Sequence, residues 1–309
     1  MKIVFFGTSE FAVPALKKLR ASRWEIASVV TQPDKPAGRK QEPLPSPIKK
    51  AAQELGLSIF EPEKLEIENW KLKIPEADLY IVASYGKIVP SEILRIPRFG
   101  ALNIHPSLLP KYRGPSPIQT TILDREKETG VTIIKLDEGV DHGDIVASSK
   151  LKGQISKLKY KDVHDQLAAL GAELLIETLP KYVSGKIKAK SQDHSKATFT
   201  KIITKDDGRI DWKKAAEEIA AQIRAFHIWP VAWTVLNGKR LKIFEALSSP
   251  SPTSERGPGE VTDTSDGAIN VQTGDGILSI KELQLEGGKR LTAREFANGH
   301  PGLIGKILV

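Results

Sequence analysis

Cysteine is absent from the 309 residues, which excludes a disulfide framework, a thiolate nucleophile and any cysteine-ligated zinc or iron–sulfur cluster. The absence fits a reducing cytoplasm. No apolar run approaches the roughly 20 residues that span a bilayer, so no membrane partner is expected. The histidines, His105, His142, His164, His194, His227 and His300, show neither H-E-x-x-H nor another paired ligand spacing, and no metal is expected. Neither G-x-G-x-x-G nor G-x-x-x-x-G-K-[ST] occurs, and no internal repeat is found. The first residues, M-K-I-V-F-F-G-T, read as a strand entering a turn. They have neither a signal-peptide cleavage site nor the Arg/Ser-rich look of a transit peptide.

What is there suits two domains. Hydrophobic residues make up 40% and charged residues 27%, an ordinary globular balance. The formal net charge is +8, and its distribution says more than its size. Residues 207–309 hold 13 Lys/Arg against 13 Asp/Glu, whereas residues 150–205 hold 12 Lys against 5 acids. Such a block attracts a phosphate backbone, and it equally describes a solvated helix face with a Lys-rich linker. The first half alternates apolar runs (Lys2–Phe6, Glu25–Thr31, Leu79–Ser84, Ala101–His105, Val131–Leu136, Ile145–Leu151) with helical patterns. That alternation predicts an open, mostly parallel sheet with a mixed edge. Residues 185–206 read as a linker or extended crossover between a domain at 1–184 and another at 207–309. The latter opens with an amphipathic helix that Asp211 is expected to cap, with Ile219, Ile223 and Phe226 on one stripe. Five short strands follow, from Ala232 to Gln284, and predict a small barrel.

Three segments carry candidate chemistry. Gly7-Thr8-Ser9 follows the first strand and opens a helix, a position that suits either an anion or ordinary capping by Ser9. Thr31–Lys50 is a long Pro/Gly loop with Arg39 and Lys40 near its tip, where a guanidinium could clamp phosphate. The third is G-A-L-N-I-H-P-S-L-L-P-K-Y-R-G, Gly100 to Gly114, followed by Asp141 in L-D-E-G-V-D-H-G-D. Asn103 and His105 share one face of a strand that Pro106 ends. Asp141 is expected at a neighbouring strand exit. An amide donates to a developing oxyanion, an imidazole exchanges protons near neutral pH, and a carboxylate orients it or takes a proton from an attacking amine. Singly, His105 also suits a satisfied histidine at a strand end and Asn103 a turn former.

At these residues the chain resembles the folate-dependent formyltransferases, over essentially its whole length. N-I-H-P-S-L-L-P-K-Y-R-G with D-E-G-V-D-H-G-D-I resembles the signature of that superfamily. The resemblance implies a Rossmann-like α/β domain followed by a small C-terminal OB-like β-barrel. It implies 10-formyltetrahydrofolate as formyl donor, catalytic roles for Asn103, His105 and Asp141, and folate contacts at Ser107, Leu108, Leu109 and Pro110. Two further segments resemble the branch whose acceptor is a tRNA. One is P-D-K-P-A-G-R-K, where Arg39, with Lys40 beside it, matches an arginine that reaches the acceptor arm. The other is I-D-W followed by I-R-A-F-H-I-W-P, at the start of the barrel. That branch implies a monomeric enzyme that formylates initiator methionyl-tRNA, with residues 207–309 as a tRNA-binding domain. An amino-sugar nucleotide N-formyltransferase, or a non-catalytic RNA-binding protein on the same scaffold, is the alternative. The P-A-G-R-K loop counts against the first and the intact trio against the second. The chain departs from the family at His142, where Thr is commoner, and at His227-Ile228, where Asn-Pro is.

Overall fold

A computed structural model describes residues 1–37, 42–68, 70, 74–153, 155–250 and 256–309. These form two compact units. The first comprises Met1–Pro117, Glu128–Gly153 and His164–Lys201, and the second Ile118–Lys127, Gln154–Val163 and Ile202–Val309. No single cut in the sequence separates them.

The first unit is built on a seven-stranded sheet of order β5-β2-β1-β6-β7-β8-β9. Its strands are β1 (Lys2–Gly7), β2 (Glu25–Val30), β5 (Ile59–Phe60), β6 (Leu79–Ala83), β7 (Ala101–His105), β8 (Gly130–Lys135) and β9 (Ile145–Lys150). Pairing is parallel from β5 through β7, then antiparallel for β7–β8 and β8–β9, the mixed edge expected. β1 and β6 are almost wholly buried, as continuous apolar runs covered on both faces must be. Phe6, Trp70, Tyr80 and Tyr85 pack together. Phe6 stacks on Trp70 at 5.3 Å between ring centres, and Trp70 Nε1 donates to the Tyr80 hydroxyl at 2.9 Å. Burial pushes the Tyr85 hydroxyl up to about 12.

The long Pro/Gly loop is not structureless. β3 (Lys35–Ala37) and β4 (Glu42–Leu44) pair antiparallel, and Thr31 Oγ1 meets Ser46 Oγ at 2.8 Å at the base of this arm. Ser46 then caps the helix Pro47–Glu54 by accepting from Lys49 N at 3.0 Å. Lys49 Nζ lies 2.8 Å from Asp34 and 2.9 Å from Glu61, and these hydrogen bonds raise its pKa.

The second unit carries a six-stranded antiparallel sheet, order β10-β11-β14-β13-β12, with β15 on β14. The strands are β10 (Ala232–Leu236), β11 (Lys239–Ser249), β12 (Val261–Asp263), β13 (Ile269–Gln272), β14 (Ile277–Leu285) and β15 (Arg290–Thr292). The sixth, β15, is absent from the sequence reading because three residues after a glycine turn carry no period. β10 and β12 are the two ends of the sheet, and the last residues of the chain bridge them. Val309 exchanges both backbone bonds with Val235 of β10, at 2.8 and 3.1 Å, while Lys306 O and Leu308 N bond Val261 N and Gly259 O, at 2.9 and 2.8 Å. The sheet curls into a barrel through that tail.

The helix Ala216–Ala225 buries Ile219 and Ile223, and Phe226 at its end completes the expected stripe. Asp211 does not cap it. Its Oδ1 accepts from Lys213 N, at 3.0 Å, in a preceding turn, and Glu218 reaches back to Ala215 N at 3.2 Å instead. The helix begins one turn later because residues 211–214 close a separate turn, in which Lys214 N bonds the Asp211 carbonyl at 3.1 Å, and Gly274 N bonds the carbonyls of Trp212 and Lys214. His227 is partly buried, and desolvation with Lys159 and Arg290 lowers its pKa. Leu308 is 2% exposed and packs in the barrel core with Trp212 and Val261. Leu308→Ala is expected to destabilise the second unit by about 2–5 kcal/mol, read by urea unfolding; an unchanged midpoint would mean the tail does not hold the barrel closed.

Candidate active site

The turn Gly7-Thr8-Ser9 is not an anion cradle. Thr8 N and Ser9 N both point to the Ser84 carbonyl, at 3.1 and 3.4 Å, and Thr8 Oγ1 donates to the Tyr85 carbonyl at 2.8 Å. Ser9 caps nothing; its hydroxyl bonds Ser84 Oγ at 2.7 Å. Arg39 and Lys40 lie outside the described residues. Among the described residues no cluster of three or more His, Asp or Glu is placed to hold a metal, and no helix is long and apolar enough to cross a membrane.

Asn103, His105 and Asp141 do come together, by a route the sequence hides. β8 runs antiparallel to β7, so Thr132 lies opposite His105 and Lys135 opposite Leu102. The exit of β8 is therefore at the far end of β7 from His105, where Leu136 N bonds the Ala101 carbonyl at 2.8 Å. The trio does not share strand exits. The turn of residues 137–143 folds back along β7 instead, and Asp141 takes a left-handed φ of 47°. Gly143 makes the return possible, since a Cβ there would lie 1.8 Å from the Lys135 carbonyl oxygen.

The carboxylate so delivered is well held. Asp141 Oδ2 accepts from Gly114 N at 2.8 Å, and Oδ1 from Asn103 Nδ2 at 3.3 Å. His105 Nδ1 is 3.4 Å from the same Oδ1. The other ring nitrogen, Nε2, is 2.8 Å from the Tyr112 carbonyl. A carbonyl only accepts, so Nε2 carries a proton and Nδ1 faces the carboxylate. His105 is 4% exposed, whereas Asn103 is only partly covered. An amide nitrogen has two hydrogens, and Asn103 uses one on Asp141, which leaves the other for an oxyanion.

The Ser107–Pro110 turn divides in two. Ser107 and Leu109 are buried, while Leu108 and Pro110 are partly exposed. Ser107 Oγ donates to the Lys111 carbonyl at 2.6 Å. Thr132 Oγ1 donates to the Ser107 carbonyl at 2.7 Å and accepts from Leu109 N at 3.1 Å. Leu108 and Pro110 are therefore the two of these side chains that reach the surface, while Ser107 and Leu109 pack within the turn. Beside β7 a cleft of about 610 Å³ opens between residues 91–98 and 135–142. His142 lines it, with Nδ1 2.6 Å from Asp137 Oδ2. None of Asn103, His105 and Asp141 lines it.

Sequence reasoning missed the residues of the Lys-rich stretch that bond the segments around the trio. Ile145 and Lys190 exchange backbone bonds at 2.7 and 2.9 Å. Tyr112 N donates to Thr198 Oγ1 at 2.8 Å. Thr200 N donates to the Arg113 carbonyl at 2.8 Å. Gln192 contacts the Asp141 backbone directly. No motif flags them; the signal available was a Gln and two Thr set among lysines in a supposed linker.

The sequence matches the formyl transferase family over residues 1–179 and the formyl transferase C-terminal domain over residues 202–301. A protein of Methylacidiphilum infernorum named methionyl-tRNA formyltransferase is 43% identical over 316 residues, spanning 100% of this chain and 98% of that protein. The fold is shared with two crystal structures. The N-formyltransferase of Helicobacter canadensis, in complex with folinic acid and dTDP-3-aminofucose, has a TM-score of 0.67 at 20% identity, over 91% of this chain and 99% of that one. HypX of Aquifex aeolicus, in complex with tetrahydrofolic acid, has 0.66 at 19% identity, over 96% of this chain but 47% of that one.

Thr132→Val keeps the shape of residue 132 but strands the Leu109 N–H and the Ser107 carbonyl. Loss of about 1–3 kcal/mol on unfolding is expected, measured in urea. A neutral result would mean that the turn is pinned elsewhere.

Proposed function

The chain belongs to the formyl transferase family, and from that premise we propose that it carries a formyl group from 10-formyltetrahydrofolate to the α-amino group of initiator methionyl-tRNA in the cytoplasm. The observation that carries the reaction is the convergence of Asn103 and His105 on one oxygen of Asp141, the amide donating to it at 3.3 Å and His105 Nδ1 lying 3.4 Å from it. Full-length likeness to a protein named for that acceptor supports the tRNA. An amino-sugar acceptor has only a shared fold behind it, at 20% identity.

An α-amine titrates near ~8, so part of it is neutral at pH 7 and needs no activation. Its nitrogen attacks the formyl carbon, and the new C–N bond puts negative charge on the formyl oxygen. The free hydrogen of Asn103 Nδ2 stabilises that oxyanion. Collapse breaks the bond from carbon to N10 of the folate. The amine gives up a proton and N10 gains one. Asp141 lies beside this exchange and helps carry the proton across. His105, anchored at Nε2 by the Tyr112 carbonyl, turns the lone pair of Nδ1 to Asp141 and can take up the proton in transit. Leu108 and Pro110 offer apolar surface to the folate. Arg39 and Lys40, and the basic stretch within residues 150–205, draw in the tRNA phosphates.

One assay decides the acceptor. Formyltetrahydrofolate is offered with charged initiator tRNA, charged elongator tRNA, an amino-sugar nucleotide or glycinamide ribonucleotide, and the product that gains formate is identified. Formate on anything but the initiator overturns the reading. Asn103→Ala is expected to slow turnover at saturating substrates on the order of 10²–10³-fold; near-wild-type kcat removes the oxyanion role. Arg39→Ala is expected to impair tRNA formylation far more than folate binding, with tRNA affinity in the wild type falling steeply as salt rises. Equal loss of both affinities would make the arm a support for the fold.

A further inference from the structure

Asp141 sits in a left-handed backbone conformation, φ 47°, that the Cβ of a side chain disfavours. Something must hold it there, and the side-chain bonds from Asn103 and Gly114 do not fix its main chain. One side chain does. Gln192 Nε2 donates to the Asp141 carbonyl at 2.8 Å and to the Gly143 carbonyl at 2.8 Å, so both hydrogens of one amide hold the two sides of the turn. The direction of that amide is fixed from behind. Arg113 Nε and Nη2 lie 3.2 and 2.7 Å from Gln192 Oε1. A guanidinium only donates, so the atom facing it is the amide oxygen. Arg113 Nη2 also donates to His194 Nδ1 at 2.9 Å, and Gln192 and Arg113 are 5% and 3% exposed. Arg113 directly precedes Gly114, whose N–H holds the Asp141 carboxylate. Main chain and side chain of Asp141 are thus tied to one neighbourhood.

We propose that Gln192 is a positioning residue for Asp141, and that buried Arg113 sets the orientation through which it acts. The proposal rests on Asp141 serving the formyl transfer. It gives the segment at residues 190–201 a task in the reaction apart from linking two domains. Glutamate at position 192 would keep the attraction to Arg113 but present no hydrogen to either carbonyl. The turn would then lose its clamp while the buried cation kept a partner.

The test compares Gln192→Glu, Gln192→Ala and Asp141→Asn in the full-length enzyme, with formyl donor and methionyl-tRNA. Gln192→Glu is expected to lower kcat on the order of 10–10²-fold, the scale of a small misplacement, with KM for both substrates within about threefold. Gln192→Ala, which adds no charge, should lower kcat similarly. In the Asp141→Asn background, Gln192→Glu should cost little more, because residues acting through one group are non-additive. Thermal unfolding is followed throughout. Unchanged kcat in both Gln192 variants, with Asp141→Asn inactive, overturns the positioning role alone. So does failure of both variants to fold, or an additive loss in the double variant, which would make Gln192 structural. Wild-type kcat in Asp141→Asn overturns the catalytic reading itself, and the proposal with it.

Discussion

The Asp141 turn is a strained piece of backbone that must reach the middle of a neighbouring strand, and donors from three remote segments hold it there. Asn103 comes from β7, Gly114 from the loop after it, and Gln192 from the stretch beyond the long helix Tyr160–Val183. No one of these bonds is strong; a net hydrogen bond contributes about 1 kcal/mol, and about 1.5–3 kcal/mol where one partner is charged. Together they offset the cost of the left-handed φ and leave the carboxylate pointing at one place. A pre-oriented charge does not have to reorganise when the reaction develops its own.

The reversal of direction between β7 and β8 makes this arrangement necessary. Had β8 run parallel to β7, both strands would have opened at the same end and a short loop would have sufficed. Antiparallel pairing places Thr132 opposite His105 instead. The gain is that Thr132 pins the Ser107–Pro110 turn at the same end of the sheet, through the Ser107 carbonyl and the Leu109 N–H. The candidate chemistry and its apolar neighbour are therefore fixed by one pair of strands. The consequence is a return loop that needs a glycine at residue 143 and a clamp at residue 192.

The second unit solves a separate problem. An antiparallel sheet of six short strands leaves two edges, and exposed edges invite pairing with another chain. Here the last residues bond both edges, at Val235 and at Gly259–Val261. The unit carries equal numbers of basic and acidic residues over 207–309, and most of the surplus of positive charge lies in the earlier Lys-rich block. Part of that block, from Lys190 to Lys201, runs along the first unit, where its polar residues bond the loop after β7.

Much was legible in the sequence alone. Continuous apolar runs marked six of the seven strands of the first sheet to within a residue, because central strands are buried on both faces and have no choice of side; β5, two residues long, is too short to carry a pattern. The spacing of Asn103 and His105 put them on one face, because alternation along a strand is fixed by backbone geometry. The absence of cysteine removed whole classes of chemistry. Tertiary structure decided what depends on pairing between distant segments. It set the direction of β8, and with it the need for the Asp141 turn to fold back. It moved the cap of the second unit's helix from Asp211 to Glu218, because residues 211–214 close a separate turn whose carbonyls meet Gly274 N. It turned a Lys-rich stretch that carries no period into the strap that supplies Gln192. Periodicity records which face of an element is buried, and it carries no information about which distant hydrogen-bond donor a buried carbonyl will meet.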